Sequence, residues 1–160
     1  KQREIEIVIR EIGEQVAARI RAHSLKTGRV GLFVGYSFEE REHGDHRGGF
    51  NIQQKITPTS DNTELVHELI ALFRKKWHGE AVRVLGVDYS RLSPDSDQQL
   101  NFFLTPQQQI KRRNFDLTVD EIRKRYGFAS LVKASSLLKG ATAIRRSTLV
   151  GGHNGGNAYE

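Results

Sequence analysis

Ile5, Val8, Ile9, Ile12, Val16 and Ile20 recur at spacings of three and four. That spacing places them on one stripe of a helix over residues 1–24. Arg3, Glu4, Glu6, Arg10, Glu14 and Arg21 supply the wet side. A helix with one apolar stripe draws most of its stability from packing, so the stripe demands a second layer to lie on. Gly28 fits a break after the helix.

The next segments provide that layer. Over 29–38, Val30, Leu32, Val34 and Tyr36 alternate with Arg29, Gly31, Phe33, Gly35 and Ser37, the pattern of a strand with one buried face. The small residues on the second face let another backbone come close. The polar, glycine-bearing run 39–49 reads as a hairpin loop. A second strand over 50–57 turns Phe50, Ile52 and Ile56 inward and Asn51, Gln53, Lys55 and Thr57 outward. Gln54 interrupts its apolar face, as at a bulge or a sheet edge. Pro58 ends the strand. Ser60 or Asp61 caps a second helix over 62–78, with Leu65, Val66, Leu69, Leu72, Phe73 and Trp77 on its apolar side and Gly79 beyond it. A third strand follows over 81–89, and then a linker around Pro94. The order α-β-β-α-β predicts an α+β fold with two helices on one face of the sheet. A ferredoxin-like arrangement, βαββαβ, would have one more strand before residue 1. The chain opens on Lys1 without methionine, as an excised fragment would.

Charge divides the chain. Residues 1–97 carry 15 basic and 15 acidic side chains; residues 98–160 carry 10 and 4, so the whole surplus of +6 lies in the last part. Such a tail suits a polyanionic partner, or is simply a solvated, soluble end. Within it, Thr118 is placed to cap a helix over 119–126 that Gly127 stops. The segment 128–150 reads equally as helix or strand, and its "FASLVKAS" portion is a candidate to fill a free sheet edge, as is a neighbouring molecule. The glycine-rich end at 151–156 lacks the lysine and hydroxyl of a phosphate loop.

Other classes recede. With no cysteine there is no disulfide framework and no thiolate metal site. No apolar run approaches the roughly 18 residues of a membrane span, and no secretory signal opens the chain, so no membrane partner and a cytoplasmic location are expected. His43 and His46 bring nitrogen ligands to the 39–49 loop, but without zincin spacing or a rigid support, and no metal is assigned there. His67 and His78 belong to the surface and C-terminal end of the second helix, and Trp77 to the core.

One stretch does not fit its surroundings. Gln99-Leu100-Asn101-Phe102-Phe103 places three large apolar residues in a polar segment near Pro94 and Pro106. An extended peptide of this form can seat alternating apolar side chains in a partner's groove while the glutamine amide fixes register; docking back onto residues 1–90 is the alternative. "QLNFF" resembles the bacterial sliding-clamp binding motif, with Phe102 where leucine is usual. "LGVDYSRLSPDSDQQLNFF" resembles the end of the little-finger domain of Y-family translesion DNA polymerases. "REIEIVIREIGEQVAARIRAHSLKTGRVGLFVGYS" and "PTSDNTELVHELIALFRKKW" resemble that domain's helices and following strand. The stretch 116–153 is similar to the C-terminal extension of UmuC-like UV-damage repair proteins of Gram-positive bacteria.

The resemblance implies a little-finger domain over 1–92, a linker with the clamp motif over 93–110 and a basic extension over 111–160. It implies duplex primer-template DNA and the sliding clamp as partners, with a recombinase or SOS factor engaging the tail. The family's phosphoryl transfer uses two metal ions in a palm domain. Magnesium is thus implied for the catalytic domain, and no cofactor or catalytic residue for this stretch. The little finger lays its open sheet face on DNA phosphates. Transferred to this chain, that face is Arg29, Gly31, Phe33, Gly35, Ser37, Asn51, Gln53, Lys55 and Thr57, with Arg47 and Arg83 adding charge. The clamp peptide is Gln99, Leu100, Asn101, Phe102 and Phe103. A stand-alone nucleic-acid-binding module or a clamp-recruiting adaptor is the alternative.

Overall fold

A computed structural model describes residues 1–38, 48–95 and 104–149. Helix α1 (Gln2–Ala22) leads into strand β1 (Leu25–Tyr36), which pairs antiparallel with both β2 (Gly49–Thr59) and β3 (Val82–Pro94). The sheet order is β2-β1-β3. Helix α2 (Asn62–Lys76) connects β2 to β3, and both helices cover one face of the sheet. The α+β class with two helices over an antiparallel sheet is therefore as the periodicities predict.

The core follows from the alternation. Val30, Leu32 and Val34 of β1 are fully buried against Ile9, Leu65, Leu69 and Phe73 of the helices. Gly13 marks the helix crossing: a Cβ there would lie 2.8 Å from Leu69 Cδ1 and 3.2 Å from the Tyr89 hydroxyl. That hydroxyl donates to the Gly13 carbonyl at 2.8 Å, so the last strand is tied to the first helix. Trp77 stacks on Phe73 with ring centroids 5.1 Å apart and donates its indole N–H to the Glu80 carbonyl. It belongs to the core edge, as expected.

Boundaries differ where local backbone chemistry outweighs composition. β1 starts at Leu25, before Gly28. The turn after α1 is made by Ser24 in the left-handed region (φ 53), while Gly28 sits inside the strand, 3.5 Å in Cβ position from Arg91 Cβ. Pro58 does not end β2. The strand runs to Thr59 because β2 is an edge, where a missing N–H costs no ladder bond. The register shift sits beside it: Arg29 pairs with Lys55 but Thr27 with Thr59. Asp61, not Ser60, caps α2, its carboxylate accepting from the Glu64 N–H at 2.9 Å. β3 continues through Ser90–Pro94, with Ser90 opposite Arg29 and Leu92–Pro94 opposite Leu25–Thr27.

The extension departs most from expectation. Helix α3 spans Pro106–Tyr126, so it begins inside the stretch read as linker. Thr105 and Gln108 form a reciprocal capping box with Pro106 at the first turn, a stronger start than Thr118. Thr118 lies mid-helix and its hydroxyl donates back to the Asn114 carbonyl. Beyond Gly127, two short 3-10 turns (Phe128–Ser130 and Ala134–Leu137) precede the single-turn helix α4 (Ala143–Ser147). Among the described residues no strand follows Gly127, so "FASLVKAS" does not fill a sheet edge. Phe128 instead packs with Ala18 and Ala143 on the outer side of α1.

That packing covers the helix side read as wet. Glu14 and Arg21, expected in solvent, are buried together with Glu11 and Gln15. Glu11 caps α4, accepting the Thr142 and Ala143 N–H groups at 2.9 Å each. Lys133 pairs with Glu14, and Arg146 donates to Gln15 at 3.1 Å. The result is three layers: sheet, helix pair, and a polar-contact strap over α1.

Candidate nucleic-acid interface

The face of the sheet turned away from the helices is built in cross-strand rows. Lys55, Arg29 and Ser90 stand opposite one another; so do Gln53, Gly31 and Asp88, then Asn51, Phe33 and Gly86, then Gly49, Gly35 and Val84. The two sets of residues singled out on β1 and β2 thus share one face, with the side chains in register. Because side chains alternate strictly along a strand, the neighbours Val30, Leu32 and Val34 are buried while these rows stay open.

Glycine makes this face low. At Gly31 a Cβ would touch Asp88 Cβ and Gln53 Cγ at 3.4 and 3.5 Å. At Gly35 it would touch the Phe33 ring at 3.7 Å, and at Gly86 it would meet Phe33 Cβ at 3.5 Å. The Phe33 side chain therefore lies over glycine and remains 46% exposed, the one large aromatic of the open rows. Asn51, Gln53 and Lys55 are exposed around it, and Arg29 is half-buried beside Lys55.

Other expected members are placed differently. Thr57 is exposed but lies past Lys55, in the register-shifted part of β2. Ser37 is outside β1, because the strand ends at Tyr36, and its hydroxyl is buried rather than presented on the open face. Arg83 occupies the irregularity where Gly35 faces Val84 but Tyr36 faces Val82, and its guanidinium stacks 4.7 Å from the Phe38 ring centroid. Arg47, the His43–His46 loop and the whole peptide Gln99–Phe103 lie outside the described residues. Asp88 and Ser90 were missed. The alternation of β3, with Leu85, Val87 and Tyr89 inward, was enough to place them.

A second concavity, about 810 Å3, runs along the free edge of β2 and is closed by α2 and α3. Its lining mixes Lys55 and Lys75 with Glu64 and Glu68 and includes ion pairs between Arg112 and Asp61 and between Arg113 and Asp95. Near charge balance makes it a poor seat for a polyanion. Below it, burial pushes the Asp116 carboxyl above its usual value, against the Asn62 N–H and Arg21, which favour the charged form.

The family comparison matches this architecture. The model of the impB/mucB/samB family C-terminal domain matches residues 1–102. The chain belongs to that family. This impB/mucB/samB C-terminal domain and its extension are similar to the protein named for UV-damage repair, UvrX, of Bacillus subtilis (strain 168), at 36% identity over 96% of this chain and 35% of the relative. They are 34% identical to DNA polymerase IV 2 of the same organism over 94% of this chain and 35% of that protein. DNA polymerase IV 2 of Halalkalibacterium halodurans is 31% identical over 96% and 36%. The chain thus spans about a third of the length of these relatives, and the similarity runs through the extension as well as the domain. No solved structure matches it.

Proposed function

We propose that this impB/mucB/samB C-terminal domain holds duplex primer-template DNA for a Y-family translesion polymerase, and that Gln99–Phe103 recruits the polymerase to the bacterial sliding clamp. The observation that supports DNA holding most is the low, glycine-floored open face with Arg29 and Lys55 side by side. Phosphates can approach its polar side chains and its two adjacent cations. Contacts of this kind position DNA and tolerate any sequence. Arg29, Gly31, Phe33, Gly35, Asn51, Gln53 and Lys55 form the contact surface, with Thr57 and Arg83 at its margins; Arg47, outside the described residues, enters the proposal only as added charge.

Phosphoryl transfer belongs in this proposal to the parent protein. The magnesium it implies finds no fit here: among the described residues no three His, Cys, Asp or Glu side chains gather to hold an ion. Cytoplasmic action in the SOS response, with a recombinase or SOS factor engaging the extension, is part of the same proposal.

Fluorescence anisotropy with a labelled duplex tests the DNA-holding role. Arg29→Ala with Lys55→Ala should weaken binding and flatten its salt dependence, whereas Lys139→Ala with Arg145→Ala on the extension should not. Equal binding by parent and the Arg29/Lys55 variant contradicts the role.

A further inference from the structure

The open face carries one group that works against phosphate. Asp88 stands in the row between the Lys55–Arg29–Ser90 row and the Asn51–Phe33–Gly86 row. It is exposed, and among the described residues it has no salt-bridge or hydrogen-bond partner. Its Oδ2 lies 3.4 Å from where a Gly31 Cβ would be, so it leans over the glycine floor at the middle of the face. Resting on the DNA-holding role proposed above, we infer that Asp88 sets the register of the DNA backbone by barring phosphate from this middle row.

The spacing supports this. Rows two residues apart on a strand are about 7 Å apart. A phosphate seated on Arg29 and Lys55 is then about one row from the Asp88 carboxylate. A phosphate over Gly31 would sit directly on it, with glycine and Gln53 offering no cation. The next row presents the Phe33 ring, which suits the apolar face of a sugar rather than a charge. Cation, carboxylate and aromatic in successive rows therefore admit one placement of the backbone. Phosphates lie over the Arg29 row, and the sugar edge or groove lies over Asp88 and Phe33. The carboxylate also weakens binding overall, as fits a surface that must let the duplex advance. The repulsion is between solvent-exposed charges, so it fades as salt shortens the Debye length.

The test compares the parent chain with Asp88→Asn, Asp88→Glu and Arg29→Ala, using a labelled duplex across a salt series, with thermal melts to confirm folding. Asp88→Asn should bind about three- to tenfold more tightly at low salt, the advantage closing as salt rises. Asp88→Glu should behave as the parent. If Asp88→Asn binds like the parent while Arg29→Ala weakens, the register role is overturned and DNA holding stands. If Asp88→Asn is tighter by the same factor at every salt concentration, charge is not the cause and the inference also fails. If Arg29→Ala changes nothing, the face does not hold DNA and both proposals fall.

Discussion

The guanidinium of Arg21 on α1 grips the carboxylate of Asp120 on α3 at two points, Nε to Oδ2 at 2.7 Å and Nη2 to Oδ1 at 3.0 Å. It also donates to the Ser60 carbonyl and to Asn62 Oδ1, 2.8 and 2.7 Å away. One buried cation thus joins the first helix, the start of α2 and the extension.

Removing Asp120 leaves that cation partly unpaired, and breaking a buried pair from one side typically costs about 3–5 kcal/mol. Asp120 is itself only partly buried and Asp116 stands 3.7 Å away, so about 1–3 kcal/mol is expected here. Asp120→Ala should loosen α3 before the domain melts. Hydrogen exchange should show lost protection over 106–126 with Val30–Val34 unchanged. Uniform loss of protection would contradict the strap arrangement.

Asp116 adds a pH signature. Its folded carboxyl titrates above its unfolded value because burial disfavours the charge. The folded state therefore holds the proton more firmly, and this group's contribution to stability falls as pH rises from the unfolded value through the folded one. Glu6 runs the other way. Its hydrogen bonds with Arg74, 2.7 and 2.9 Å, hold it below the usual value, so its contribution is present above that value and lost on acidification. Chemical denaturation between pH 3 and 7 should give Asp116→Asn a steeper loss of stability on acidification than the parent, and Glu6→Gln a shallower one. Parallel curves would remove both assignments.

The helix crossing should be intolerant. Leu69 is fully buried and touches the Gly13 position, so Leu69→Ala should cost about 2–5 kcal/mol in urea unfolding. Gly13→Ala gains helix propensity of at most about 1 kcal/mol but forces Leu69 and Tyr89 apart, for a net loss of about 1 kcal/mol.

For the clamp peptide, calorimetry against a purified sliding clamp should show Gln99→Ala and Phe103→Ala each weakening binding, by about 2 kcal/mol at an anchoring aromatic. DNA binding should be intact. Variants that bind the clamp as the parent does would exclude the motif.

The sheet and the helix pair were legible because one buried face imposes a period: Val30, Leu32 and Val34 could only point inward together, and with them the open face was given. Strand ends were not, since Pro58 at an edge and Ser24 in a left-handed turn break composition rules through context. The extension was read least well. Glu11, Glu14, Gln15 and Arg21 look like an ordinary wet helix side. Only their partners, more than ninety residues away in Asp120, Lys133, Thr142 and Arg146, make them interior. Polar burial of that kind has no periodicity to betray it.

Where DNA lies on this molecule is measured most directly by titrating the isotope-labelled chain with a short duplex and following backbone amide shifts. The open-face proposal predicts shifts at Arg29–Gly35, Asn51–Lys55 and Gly86–Ser90. Shifts confined to α3, α4 and the turns between them, on the far side of α1, would contradict it and transfer nucleic-acid binding to the basic extension.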